Sequence, residues 1–101
     1  MGIGVLLAEC GIDAGAIDEF IVAGAFGTYL DLNSAIRIGM FPDLPRERFQ
    51  QVGNAAGTGA RQMLVSAQRR QLAQDIARRN RYIELTTYPD FTQRYVAALH
   101  F

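Results

Sequence analysis

"FIVAGAFGTYLDLNSAIRIGMFPDLP", residues 20–45, decides how the rest of the chain is read. With the residues before it, "IDEFIVAG" (17–24) is a continuous apolar run after two acids. Runs of that kind belong to strands buried on both faces, as in the parallel sheets of α/β proteins. The run ends in Gly24-Ala25-Phe26-Gly27, and an amphipathic segment comes at once after it. Such a turn leaves backbone N–H groups with few side chains in the way. A helix starting beyond it adds a partial positive charge, which suits a phosphate. The same glycines also serve a plain tight connection. The pattern is neither GxGxxG nor a Walker loop, so both readings stay open on the motif alone. Gly27 reads as a position that needs positive φ or close approach of a ligand.

Downstream, Asp31 or Asn33 caps a short helix through Ser34, Ala35 and Ile38, ended by Gly39 with Pro42 beyond. "PDLPRERF" is a loop, and "RFQQVG" (48–53) is a short strand. "NAAGTGARQMLVSAQ" (54–68) reads as a helix in spite of Gly57 and Gly59. Each glycine costs it about 1 kcal/mol relative to Ala. The small residues there fit a helix packed very close to a sheet or to a ligand. "VGNAAGTGARQ" is thus a second glycine cluster after an apolar run. Both clusters are expected at the carboxyl edge of one sheet, where α/β folds bind ligands.

"RQLAQDIARRNR" (70–81) is a further helix with Leu72, Ile76 and Ala77 on one face. Arg69, Arg70, Arg78 and Arg79 form a solvated face opposite, and Asp75 is placed to pair with Arg79. "YIELTT" (82–87) alternates and is rich in β-formers, which predicts a strand. "PDFTQRYVAALHF" (89–101) is a helix with Pro89 at its start and Phe91, Tyr95, Val96 and Leu99 on one side. At the other end, "GVLLAECGID" (4–13) is the end of a helix stopped by Gly11. Residues 1–4 offer no cap, as though the chain began inside an element.

The 101 residues bound the chain to one domain or a piece of one. Half are hydrophobic, so the chain folds. Net charge is zero, with no electrostatic footprint for nucleic acid. All ten basic residues are Arg, which excludes Schiff-base chemistry and a phosphate-loop lysine within the chain. The lone Cys10 allows no disulfide and no thiolate cluster, and reads as a small buried hydrophobe in a reducing cytoplasm. No signal peptide or membrane span is legible. His100, the single histidine, is a frayed surface side chain. No residue is assigned as catalytic or as a metal ligand.

Residues 17–61, continued by "YIELTTYPDFTQRYVAALHF", resemble the C-terminal end of the reductive activators of corrinoid proteins. The likeness rests on the AGAFG turn, the "AIRIG" and "PDLP" segment, "VGNAAGTGA" and "YIEL", and covers nearly the whole chain. Such proteins join an N-terminal [2Fe–2S] ferredoxin-like domain to an ATP-binding domain of the actin, sugar kinase and heat-shock chaperone superfamily. They use ATP to drive uphill electron transfer to a Co(II) corrinoid, restoring Co(I). The resemblance implies an α/β fold like the last part of an actin-like, ribonuclease H-like ATPase domain. About three mostly parallel strands and four or five helices are expected.

The resemblance places Gly24, Ala25, Phe26 and Gly27 against adenosine and its phosphates, with Gly53, Asn54 and Gly57 beside them. It implies Mg-ATP as ligand and a corrinoid protein as partner; the cytoplasmic location is the expectation drawn from the single cysteine. With one cysteine the [2Fe–2S] domain is absent from residues 1–101, and so are the superfamily's first phosphate hairpin and catalytic acids. The chain alone is expected to be inactive and, with its strands short of neighbours, homo-oligomeric. A stand-alone interaction module without nucleotide is the rival reading. Another activator of the same superfamily, such as one acting on a dehydratase, is a second.

Overall fold

The computed structural model describes residues 1–100. Five helices surround one small sheet: α1 (Gly2–Cys10), β1 (Phe20–Ala23), α2 (Leu32–Arg37), β2 (Phe49–Gly53), α3 (Ala55–Val65), α4 (Ala67–Arg79) and α5 (Phe91–Ala98). Single 3₁₀ turns precede β1 and β2, and a third, Ala25–Thr28, comes directly after β1. The fold is α/β, as the sequence predicts.

Strands β1 and β2 pair in parallel, Phe20 opposite Phe49 and Val22 opposite Gln51. Parallel neighbours need a crossover, and here α2 supplies it. The register slips between Val22 and Ala23, so that Ala23 faces Gly53 and Val52 is the extra residue. Bulges of this kind bend a strand and re-aim the residues beyond the bend.

The third expected strand does not form. Tyr82–Thr87 has no ladder, because no strand of the described residues lies beside it. Its polar groups turn inward on the segment instead. The Tyr82 hydroxyl donates to Glu84 Oε2 at 2.6 Å and the Thr86 hydroxyl to Glu84 Oε1 at 2.8 Å. These bonds hold the Glu84 carboxyl below its ordinary range, the Tyr82 bond most of all.

Local signals decide the helix ends. Gly11 and Gly39 both take the left-handed conformation, and the residue after each donates back across the last turn: Ile12 to Leu7 and Met40 to Ala35. Asp31 caps α2, accepting from the Asn33 N–H at 3.3 Å and the Ser34 hydroxyl at 2.5 Å. The "NAAGTGARQMLVSAQ" helix stops earlier than its pattern predicts. Ser66 takes extended angles and its hydroxyl accepts from the Arg69 N–H at 3.2 Å, starting α4 afresh. Asp75 pairs with Arg78 at 3.6 Å, whereas Arg79 donates to the Asp75 carbonyl, so the expected carboxylate pair with Arg79 is replaced by its neighbour. Pro89 lies one residue before the Asp90 cap of α5, where Phe91 stacks on Tyr95 at 6.0 Å. The last residue of that predicted helix, Phe101, lies outside the described residues.

Packing is thin. Among the described residues the buried apolar side chains are Val5, Ala35 and Leu44, of which Val5 alone is fully buried. Beside them Phe20, Phe41 and Phe49 cluster with ring centroids 4.9–6.2 Å apart, joining both strands to the crossover. The radius of gyration is 16.1 Å, against about 13 Å for a compact chain of 100 residues. The apolar run predicts cover on both faces of β1, but Ile21 is 55% exposed and Ala23 is exposed with it, so the face these two share lies open. Cys10, expected to be buried, is exposed, on the side of α1 that it shares with the half-exposed Leu6. No helix among the described residues is long and apolar enough to cross a membrane.

Gly27 and Gly59 should respond oppositely to alanine. A Cβ at Gly27 would meet Val22 Cγ1 at 3.0 Å and the Val22 carbonyl oxygen at 3.3 Å, whereas one at Gly59 meets nothing within 4 Å. Urea unfolding should show Gly27→Ala destabilised by about 1–3 kcal/mol and Gly59→Ala stabilised by about 0.5–1 kcal/mol. Asp31 gives a pH signature. The Ser34 hydroxyl, then the backbone N–H groups, hold its carboxyl below the usual aspartate value of 3.8. A depressed carboxylate stabilises the fold above its unfolded value and ceases to do so as pH falls through the folded one. The loss should therefore appear below pH 3.8 and be absent in Asp31→Asn.

Candidate functional site

The two glycine clusters meet. The Gly24 N–H donates to the Gly53 carbonyl at 2.5 Å, joining the end of β1 to the end of β2. A Cβ on Gly53 would lie 3.6 Å from the Thr28 methyl, so the second cluster also touches the 3₁₀ turn of the first. Both lie at the carboxyl edge of the parallel pair, the position where open α/β sheets bind ligands.

Gln51 holds the turn in place. From β2 its side-chain amide donates to the Gly27 carbonyl, and again to the Leu30 carbonyl at 3.0 Å. The Thr28 hydroxyl closes the turn on the Ala25 carbonyl at 2.9 Å. A glutamine in the middle of a short apolar strand is the available signal for this role, but the linear pattern assigns it no partner.

The glycines divide the work differently from expectation. Positive φ falls on Gly24 (99°) and Gly53 (66°), not on Gly27. Gly27 is buried, and its constraint is the close approach of Val22 rather than of a ligand. Gly24 is exposed and nothing lies within 4 Å of where its Cβ would be, so its backbone is open to an outside molecule. Ala25 is likewise exposed. Phe26 is 89% exposed, and Tyr29, which the motif did not include, is 88% exposed.

Asn54 caps α3, its Oδ1 accepting from the Gly57 N–H at 3.0 Å. The Thr58 N–H reaches the Asn54 carbonyl at 3.2 Å. Of the first N–H groups of α3, those of Ala55 and Ala56 are left for an acceptor outside the helix. A helix of 11 residues places its positive dipole end here. Gly57 is explained by the cap itself: a Cβ there would lie 2.5 Å from Asn54 Nδ2.

The edge therefore offers uncrowded backbone at Gly24, whose N–H and carbonyl are already paired with Gly53 and Gly27, N–H groups of Ala55 and Ala56 with no partner among the described residues, and two uncovered aromatic rings. It carries no acid–base pair, and no group of three or more His, Cys, Asp or Glu among the described residues could hold a metal ion. The better-formed apolar depressions lie elsewhere. One of about 180 Å³ sits between α1 and the Gly39–Pro42 loop, and another of about 160 Å³ in the groove between α3 and α4. Neither is lined by residues 24–27 or 53–57, although Gly59 and Gln62 of the second cluster line the α3–α4 groove.

Comparison with known proteins points one way. The family model for the C-terminal domain of RACo, the ASKHA domain, matches residues 1–101. The corrinoid activation enzyme RamQ of Eubacterium limosum is 38% identical over 92 residues, which is 90% of this chain and 16% of that relative.

A double-mutant cycle tests the cap assignment. Gly→Ala inside a helix ordinarily gains stability, but at Gly57 the added methyl displaces the Asn54 side chain. Gly57→Ala alone should lose stability. Asn54→Ala alone should lose about 1 kcal/mol, the usual value of an N-cap. In the Asn54→Ala background, Gly57→Ala should become stabilising by about 0.5–1 kcal/mol. Thermal unfolding of the four proteins reads the sign change; additive effects would remove the cap explanation of Gly57.

Proposed function

The chain belongs to the family of C-terminal ASKHA domains of RACo, and from that premise we propose that it forms one wall of the nucleotide site of a reductive activator of corrinoid proteins. The carrying observation is the joining of the two glycine turns, Gly24 N–H to the Gly53 carbonyl, beside the free N-terminus of α3. In this reading Gly24, Ala25 and Phe26 face the adenosine half of Mg-ATP. The N–H groups at the start of α3, ordered by Gly53, Asn54 and Gly57, face its phosphates. Gly27 supports the turn from behind through its contact with Val22.

ATP binding across such a wall needs the opposing half of the domain. The chain spans 16% of the length of the curated relative it matches. In the full-length activator the remaining segments supply the other wall, and ATP drives electron transfer to a Co(II) corrinoid held by its partner protein. A [2Fe–2S] centre takes four thiolates in the ferredoxin-like case. This chain has only Cys10, so its residues do not fit that cluster, which belongs to another part of the protein.

Two measurements check the reading. In the full-length activator, visible absorption of the corrinoid should report return from Co(II) to Co(I) only when Mg-ATP is present. Gly24→Val, which forces a β-branched residue into φ of 99°, should abolish the ATP-driven return to Co(I). Reduction that ignores ATP would sink the proposal. The isolated chain should give no saturable heat with Mg-ATP in calorimetry, because one wall supplies too few contacts to offset lost translational and rotational freedom. A submicromolar dissociation constant there would show that the wall is a complete site. The isolated chain is also proposed to self-associate through the open edge of β1 and the exposed Leu64 and Val65. Light scattering at micromolar concentration should then give at least twice 11.2 kDa; a monomer mass would overturn this.

A further inference from the structure

Phe26 and Tyr29 stand on one 3₁₀ turn and its final residue, the Tyr29 N–H donating to the Phe26 carbonyl at 3.0 Å. Residues three apart on such a turn eclipse one another, so the two side chains leave the backbone on the same side. At 89% and 88% exposure neither ring is stacked on the other or on anything else among the described residues. The turn is not loosely built: Gln51 anchors it at both Gly27 and Leu30, and Gly27 packs on Val22. Two unpaired aromatic rings are thus carried on a braced turn next to the open Gly24 backbone and the positive end of α3.

From this juxtaposition we propose that Phe26 and Tyr29 form an aromatic clamp that takes the purine ring of the nucleotide between or against their faces. The proposal rests on the nucleotide reading given above and adds Tyr29 and the base contact to it. A flat, electron-poor heteroaromatic ring matches two ring faces that have no partner of their own, and stacking needs no side-chain hydrogen bonds. The polar part of the ligand is then met by backbone: phosphates at the α3 N–H groups, base at the rings. That division fits a turn containing no charged residue between Gly24 and Leu30. Stacking tolerates either purine, so the clamp holds ATP and GTP alike and leaves discrimination between them to the opposing wall.

The test uses the full-length activator with Phe26→Leu, Tyr29→Leu and Tyr29→Phe, and titrates ATP beside inorganic tripolyphosphate, which lacks a base. Each Leu variant should weaken ATP by about tenfold or more, the value of a lost base–aromatic stack. Tripolyphosphate affinity should stay at the wild-type level, and Tyr29→Phe should bind ATP like wild type, because the ring and not the hydroxyl is used. Since both side chains are almost wholly exposed in the chain, urea unfolding should find the variants as stable as wild type. Unchanged ATP affinity in both Leu variants, with wild type binding ATP, would overturn the clamp and leave the nucleotide site standing; the rings would then be covered by protein. A parallel fall of ATP and tripolyphosphate would also overturn it, as a general collapse of the site. Failure of wild type to bind either ligand would overturn the clamp and the proposed function together.

Discussion

One backbone hydrogen bond, from the Gly24 N–H to the Gly53 carbonyl, sets the geometry on which the edge depends. It joins two strand ends that a bulge has already put out of step, Val22 facing Gln51 but Ala23 facing Gly53. The extra residue turns the end of β2 so that α3 starts beside the turn after β1 instead of beyond it. Without the slip, the free N–H groups of α3 and the open backbone at Gly24 would lie at different heights along the sheet. The glycines at both ends of the bond accept φ of 99° and 66°, which L side chains rarely adopt. A residue with a side chain at either place would be strained in that conformation and would oppose the bond.

Much of this is legible in the sequence. The continuous apolar run at 20–23, the capping Asp31 and the glycine stops after α1 and α2 are local signals, each carried by residues close together in the chain. The meeting of the two glycine clusters is implied by each one trailing a strand in a parallel pair. Three things are not legible, for one physical reason: they depend on contacts between separate elements. Alternation in Tyr82–Thr87 suggests a strand, but a strand exists only with a neighbour, and none is beside it among the described residues. Gly27 resembles a turn glycine until Val22 is seen 3.0 Å from its missing Cβ. Gln51 is an ordinary polar strand residue until its amide reaches across to the turn. Ser66, by contrast, is a local signal of two meanings, since a serine inside an apolar helical pattern is as easily a cap as an interior residue.

The distribution of burial separates what the chain does alone from what it does in company. Its strongest cluster, Phe20, Phe41 and Phe49, fastens the strands to the crossover, and the glycine edge hangs from that frame. Away from it the helices carry apolar faces that remain half in water, Leu72 and Ile76 on α4 and Tyr95 and Val96 on α5. The N-terminal helix and the segment before α5 are tied by Arg81 to Glu9 at 2.6 Å, by Tyr88 bonded to the same carboxylate and by Leu85 beside Gly2; surface ion pairs contribute about 0–1 kcal/mol. The glycine edge is therefore the better-braced part, and the apolar faces of α4 and α5 remain half open.

The crossover between the two strands has a consequence in time. β1 ends at Ala23 and its partner begins at Phe49, so the ladder closes only after the whole α2 segment has been threaded between them. The chain entropy of bringing such a loop together grows only slowly with length, yet it must be met before any ladder bond forms. The α3–α4 hairpin and the capped turns of α1 and α2 need no such closure and can form in microseconds or less. During synthesis, then, the sheet can close only once residue 53 has emerged, with α1 and α2 already present and α3, α4 and α5 still to come. A chain with β1 emerged but β2 still to come displays an apolar ribbon with both edges open. That interval is the one in which a chaperone, or the rest of the domain, has the most to protect.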